Sequence, residues 1–236
     1  MHDEDLSVRR ASAAHVFVPV DRVVADAPIA LDDDIERHLV RVLRLRDGEA
    51  VTITDGEGRW RPTRFRSEGS MLEPDGALRR CERSVSSTIG TAMPKGDRLD
   101  QLVQKTTELG IDRLVLLHCE RSVVRWKGDR IERQRARLQR IADESCRQSR
   151  RVWRLEVEGP VEALSMLPSC AVAEPGGRVI GAADVAIAIG PEGGWSASEL
   201  ERAGDLVDLA GTVLRTETAA MAAATLMMAA RGASCD

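Results

Sequence analysis

From residue 15 to about residue 80, apolar and polar positions alternate in short runs. "HVFVPV", "AVTITDGEGRW" and "RPTRFRSEG" place β-branched or aromatic residues at every second position, and Asp55-Gly56 reads as a hairpin turn. These runs predict strands. Between the first two, Ile35, Leu39, Val42 and Leu43 recur at helical spacing, and Asp47-Gly48 closes the helix they predict. The pattern describes a small barrel-like unit that ends near Arg83.

Beyond that point the rhythm lengthens to alternating strands and helices. "SVSSTIGTAM" and "DRLVLLHC" read as strands. Between them lies an amphipathic helix with Leu99, Leu102, Val103 and Leu109 on one stripe, Asp97 as its cap and Gly110 as its stop. A long basic helix, "GDRIERQRARLQRIADESCRQSRR", is followed by the strand "VWRLEVE". Then come "CAVAEP", "DVAIAIG", a glycine-rich loop and a helix opened by the capping box of Ser196 and Glu199. After "DLVDLAGTVLR" the chain finishes in "TETAAMAAATLMMAARG", which is apolar on nearly every face and therefore buried, in a core or an interface. Strand–helix alternation predicts an α/β domain with a largely parallel sheet. The expected division is 1–83 for the β-rich domain and 84–236 for the α/β domain.

Composition narrows the functional classes. The 236 residues are 43% hydrophobic and 31% charged, as expected of a soluble globular protein. No apolar run reaches the ~20 residues of a membrane span, and the N-terminus has no apolar signal segment, so the expected place is the cytoplasm. Five scattered cysteines without a C-x-x-C pair predict reduced, buried thiols, and four dispersed histidines give no metal site. Net charge is −4, yet residues 121–154 hold twelve Lys/Arg against four Asp/Glu, while 155–236 hold four against twelve. A basic block in an acidic chain suits phosphate contact, although a solvated helix face has the same composition.

Three segments put polar or glycine-rich turns at the carboxyl ends of predicted parallel strands, where ligands of such sheets bind. These are Ala173–Pro175, Ile189–Gly194 and Val213–Ala219. Neither the phosphate-binding loop G-x-x-x-x-G-K-[ST] nor the dinucleotide fingerprint G-x-G-x-x-G is present, and H-E-x-x-H and G-x-S-x-G are absent too. Glu192, within the loop "IGPEGG", repels phosphate.

"IGPEGGWSASE" followed by "VLRTETAA" resembles the two signature segments of the bacterial 16S ribosomal RNA methyltransferases that modify a uridine at N3, members of the SPOUT class. "PKGDRLDQLVQKTTELGID", "CERSVVRW", "ESCRQSRR" and the N-terminal "HLVRVLRLRDGE" are similar to further segments of that family, in the same order. Ala210 and Thr212 stand where the family usually carries Gly and Arg.

The resemblance implies an α/β SPOUT domain tied in a trefoil knot, and an N-terminal PUA-like β-barrel that binds RNA. It implies S-adenosyl-L-methionine as cofactor, a homodimer, and 16S rRNA of the small ribosomal subunit as substrate. Cofactor contacts are then expected from Glu174, Ile189, Gly190, Pro191, Glu192, Gly193, Gly194, Leu209, Val213, Leu214, Thr216, Thr218 and Ala219. Glu192 either favours the cationic sulfonium or anchors a neighbouring amide. Thr216 or Thr218 caps the last helix in the alternative reading. Arg215 is the candidate for catalysis or RNA positioning, unless it pairs with Glu217 or Glu192, and Glu217 is a candidate proton acceptor. RNA contacts are expected from Arg37, Arg41, Arg44, Arg46, Arg121, Arg125, Arg147, Arg150 and Arg151. A non-catalytic RNA-binding protein of the same fold, and a SPOUT methyltransferase acting on another RNA, stay open at this point.

Overall fold

The computed structural model describes residues 2–83 and 85–232, so Ser84 and Cys235 lie outside the described residues. The chain divides into two compact units. The first runs to Arg83 and includes Cys146–Arg154; the second takes the stretch from there to Ser145 and the chain from Leu155. Residues 146–154 thus belong with the first unit, although they lie far along the sequence.

In the first unit, helix α1 (His2–Ala11) precedes β1 (Ala14–Phe17), α2 (Val20–Val24), β2 (Ile29–Ala30) and α3 (Asp33–Glu36). A π-helix at Arg37–Val42 leads to β3 (Ala50–Thr54), β4 (Arg59–Arg66), β5 (Met71–Pro74) and β6 (Arg79–Arg80). The strands form one curled sheet in the order β1-β3-β4-β5-β2, with β6 on β4. Among the described residues of this sheet, β1 and β3 pair in parallel and the other pairings are antiparallel. Alternation points Val16, Val51, Ile53, Phe65 and Leu72 into its core, where Leu39 joins them. The regular helix expected after Ile35 is instead widened, with Leu43 N–H donating to His38 O (2.9 Å) and Leu45 N–H to Leu39 O (3.0 Å). Arg44 then takes a left-handed φ of 56° and ends it.

The second unit contains β7 (Thr88–Ala92), α4 (Arg98–Glu108), β8 (Arg113–His118), α5 (Arg130–Ser149, whose last turn joins the first unit) and β9 (Glu156–Glu162). There follow α6 (Ala163–Met166), β10 (Ala171–Val179), β11 (Ala186–Ile189), α7 (Ala197–Glu201), β12 (Asp205–Asp208) and α8 (Thr216–Arg231). All its pairings are parallel, in the order β12-β10-β11-β7-β8-β9. Both faces are covered. Ile89, Leu114, Leu116, Ile187 and Ile189 pack with α4, α5 and α8, while Val115, Leu117, Val172 and Ala188 pack with Ala163, Leu167 and Trp195. This explains why the strands read as continuous apolar runs rather than alternating ones.

Two local expectations change. Asp97 occupies the N-cap of α4 but its side chain makes no capping bond. Cys119, Cys146 and Cys170 are buried thiols outside any disulfide, as read, whereas Cys81 is disulfide-bonded.

Candidate cofactor cavity and its surroundings

The cavity at the carboxyl ends of β12, β10 and β11 is built by three loops, each tied to a neighbour. In β10, Ala173 and Arg178 both pair with Val207, so residues 174–177 bulge out of the ladder. The sequence "EPGG" forces this. Pro175 has no N–H to donate, and Gly176 has a φ of +83°. At Gly177 a Cβ would lie 2.6 Å from the Val207 backbone. The bulge brings Glu174 and Pro175 to the cavity wall.

After β11 the chain turns sharply, Gly194 N–H donating to Pro191 O (2.8 Å) with Gly194 at φ +70°. Trp195 folds back beneath this turn, nearly buried, and its Nε1–H donates to Ala173 O (3.1 Å). A Cβ on Gly190 would meet the Trp195 ring at 2.9 Å, so the side-chain-free backbone is what lets the ring close. The capping box of α7 is formed as expected: Glu199 N–H donates to Ser196 Oγ (3.2 Å) and Ser196 N–H to Glu199 Oε2 (2.9 Å).

The third loop follows β12. Asp208 accepts from Gly176 N–H and Ala210 N–H, both at 3.1 Å, which fastens this loop to the β10 bulge. The first turn of α8 is fastened to the glycine loop by Thr216, whose Oγ1 donates to Gly190 O (3.0 Å). Thr216 is thus a strut between loops and not a helix cap; Arg215 occupies the N-cap position, with no side-chain capping bond.

The resulting cavity has a volume of about 290 Å³. Of the residues expected to hold a cofactor, Glu174, Ile189, Gly190, Pro191, Glu192, Gly194, Leu209, Val213, Leu214, Thr216 and Ala219 line it. Ala210 and Thr212 line it too. Gly193 instead lines a small cleft on the other side of the loop, with Lys95, Arg121 and Val123. Thr218 is exposed and does not line the cavity. The walls are mainly apolar, with carboxylates at Glu174, Glu192 and Asp208 and several backbone groups: a lining that fits a largely apolar ligand carrying positive charge.

Arg215 is exposed and pairs with neither Glu217 nor Glu192. The cation that does so is Arg98, in the first turn of α4. Its guanidinium lies 2.5 Å from Glu192 Oε1 and 3.8 Å from Glu217 Oε1. Glu217 is buried, and its Oε2 has no hydrogen-bond partner. Nothing in the sequence singled out Arg98; the stripe of α4 marked its apolar residues only. Nearby, burial pushes the Cys119 thiol up to about 12, which keeps it protonated and unreactive.

The arginines expected to meet RNA fall into two groups. Arg37, Arg41, Arg44 and Arg46 are exposed along and after the π-helix, and Arg37 pairs with Asp34 at 3.1 Å. Arg121 is exposed and donates to Gly193 O (3.1 Å), and Arg125 to Cys119 O (2.9 Å). Arg147 is half-buried. Arg151 needs correction. Arg151 is 2% exposed, inside the first unit, and presents no surface to RNA. Arg150 donates to Ser12 O (2.9 Å) and its own carbonyl accepts from Arg9 (2.6 Å), so it fastens residues 146–154 to the first unit.

A family description of an RNA methyltransferase domain matches residues 81–228, and one of an RNA methyltransferase PUA domain matches residues 31–69. The chain belongs to the RNA methyltransferase family. A small subunit ribosomal RNA methyltransferase E of Synechocystis is 28% identical over 80% of this chain and 68% of its own length. Its namesake in Mycobacterium bovis is 28% identical over 84% of both chains. The crystal structure of the Neisseria gonorrhoeae enzyme of that name, bound to S-adenosylmethionine, superposes with a TM-score of 0.77 at 26% identity, covering 91% of this chain and 96% of that one. The α/β unit therefore has the SPOUT fold and the first unit is PUA-like. Among the described residues no helix is long and apolar enough to cross a membrane, and no cluster of three or more His, Cys, Asp or Glu is placed to hold a metal.

Proposed function

We propose that the protein methylates N3 of a uridine in 16S ribosomal RNA of the small subunit, using S-adenosylmethionine, and works as a homodimer in the cytoplasm. The observation that carries this reading is the cavity in which three loops, brought to one end of a parallel sheet, offer apolar walls and carboxylates. The relatives named as small subunit ribosomal RNA methyltransferases and the S-adenosylmethionine bound in the Neisseria structure support it.

In this reading Leu209, Val213, Leu214, Ile189 and Ala219 surround the adenine and ribose, while Gly190, Pro191 and Gly194 offer backbone groups at close range. The cofactor, when bound, supplies the electrophilic methyl group. The chain supplies alignment. Uridine N3 lies on the Watson–Crick edge and carries a proton, so the base must be unpaired before it can be aligned with the methyl donor. Arg215, exposed at the N-terminus of α8, donates to the developing negative charge on the base, and Glu217 is the carboxylate nearest in sequence to take the N3 proton. The exposed arginines Arg37, Arg41, Arg44 and Arg46, with Arg121 and Arg125, contact phosphates, which makes RNA affinity fall steeply with salt.

The test is incubation with methyl-labelled S-adenosylmethionine and small ribosomal subunits that lack the modification. Label recovered as 3-methyluridine is the expected outcome. Label in another nucleoside, or none in RNA, overturns the reading.

A further inference from the structure

Resting on the cofactor reading above, we propose that Arg98 is a specificity-determining residue that sets the charge facing the cofactor cavity, and with it the preference for the cationic methyl donor over its uncharged product. The juxtaposition is specific. One guanidinium, projecting from the first turn of α4, serves two carboxylates on two other chain segments: Glu192 of the glycine loop at 2.5 Å and Glu217 of α8 at 3.8 Å. Among the described residues neither carboxylate has another cation within ion-pair distance. Glu192 lines the cavity directly. Glu217 is buried in the first turn of α8, with Oε2 unpartnered, and among the described residues Arg98 is the one cation within ion-pair distance of it.

Two carboxylates sharing one arginine leave this group itself net negative beside the cavity, while Lys95 and Arg121 line the separate cleft on the far side of Glu192. The methyl donor carries a positive sulfur, and the demethylated product a neutral one of almost the same shape. The interaction of that sulfur with the Arg98–Glu192–Glu217 group therefore adds to that of Glu174 and Asp208 on the cavity wall in separating donor from product. Arg98 tempers it: without the guanidinium the donor gains and product leaves still more readily, and without Glu192 the discrimination shrinks. Arg98 and Glu192 are 34% and 53% exposed in their side chains, so solvent screens the group and the effect is a modest factor.

The readout is the ratio of two dissociation constants, for S-adenosylmethionine and S-adenosylhomocysteine, measured by calorimetry without RNA. In Arg98→Gln the preference for the donor is expected to rise roughly threefold to tenfold. Arg98→Lys, which keeps the charge, is expected to stay at the wild-type ratio, and Glu192→Gln to fall below it. A merely structural role weakens both ligands alike. An unchanged ratio in both Arg98→Gln and Glu192→Gln overturns the proposal. The Glu192→Gln arm keeps it testable if Arg98→Gln folds poorly. Failure of the wild type to bind either ligand strikes at the cofactor reading itself.

Discussion

In the first unit, buried Arg9 and Arg61 and half-buried Arg150 end on backbone carbonyls: Arg9 on Arg150, Arg150 on Ser12, and Arg61 on Ala25 and Gly76. Buried His15 joins them, with Nε2 against Arg151 O (2.9 Å) and Nδ1 against Thr52 Oγ1 (2.8 Å). Among the described residues of the second unit no buried arginine does this: Ser87 and Asp112 bond to each other at the start of β7 and β8, and Asp208, Thr216 and Trp195 hold the loops at the other end of the strands. The difference teaches that a basic residue count says little about where positive charge is available. In the first unit several arginines are structural fasteners. In the second, a few short polar links hold loops whose remaining surface is free for a ligand.

The largest effect that tests this contrast lies in the second unit. Gly177→Val puts a Cβ 2.6 Å from the Val207 backbone and is expected to destabilise the protein by about 3 kcal/mol or more, read as a shifted denaturation midpoint. Gly211→Ala, with open space around it, is the matched control and should change stability by less than about 0.5 kcal/mol. Equal effects would remove the argument for the β10 bulge as a built feature.

The next effect belongs to the first unit and is a pH dependence. Burial, the largest cause, with the charges of Arg9 and Arg150, lowers the His15 pKa from 6.5 to about 3, against the opposing hydrogen bond to Arg151. The folded pKa is below the unfolded one, so the unfolded chain binds the extra proton between these values. Stability is therefore full above pH 6.5 and falls with acidification, by about 1.4 kcal/mol per pH unit well below pH 6.5. Asp184, whose pKa is lowered from 3.8 chiefly by Arg178, loses its contribution only further down, so the window from pH 6.5 to 5 isolates the histidine. A denaturation series across that window should show the loss in the wild type and not in His15→Gln. A flat wild-type profile refutes the buried neutral imidazole.

Smaller still are the links around the cavity. Trp195→Phe removes the bond to Ala173 O, and Thr216→Val the bond to Gly190 O; each should cost about 1 kcal/mol and loosen the cofactor several-fold. Weaker binding without any stability change would mean that these side chains touch the ligand rather than hold the loops. The smallest effect on stability is expected at Arg41, which is exposed: Arg41→Ala should leave the denaturation midpoint in place, weaken RNA binding, and reduce the salt slope by about 1. An unaltered slope would place Arg41 off the RNA path.

Much of the fold was readable because its signals are local. The apolar stripe of α4, the capping box at Ser196 and Glu199, and the apolar runs of β7, β8 and β11 each act within one element. The cavity was readable as three turns, since glycine and proline limit the backbone where they stand. What escaped depends on partners distant in sequence. Thr216 reads as a cap until Gly190 O is seen beside it, 26 residues away. Arg98 is one arginine among many until Glu192 and Glu217 meet it. Arg151 sits in a basic block by composition, yet the first unit encloses it. Residues 146–154 carry no mark of belonging with a sheet completed more than sixty residues earlier.

The central claim, that the three-loop cavity of the second unit holds the cofactor, is tested most directly by calorimetric titration of S-adenosylmethionine into the wild type and Gly190→Val. A side chain at 190 displaces the Trp195 ring, which a Cβ would already meet at 2.9 Å, and so spoils the floor of the cavity. Micromolar binding by the wild type, lost in a variant of unchanged helix content, is the expected result. Equal binding by both proteins would contradict it and place the cofactor elsewhere.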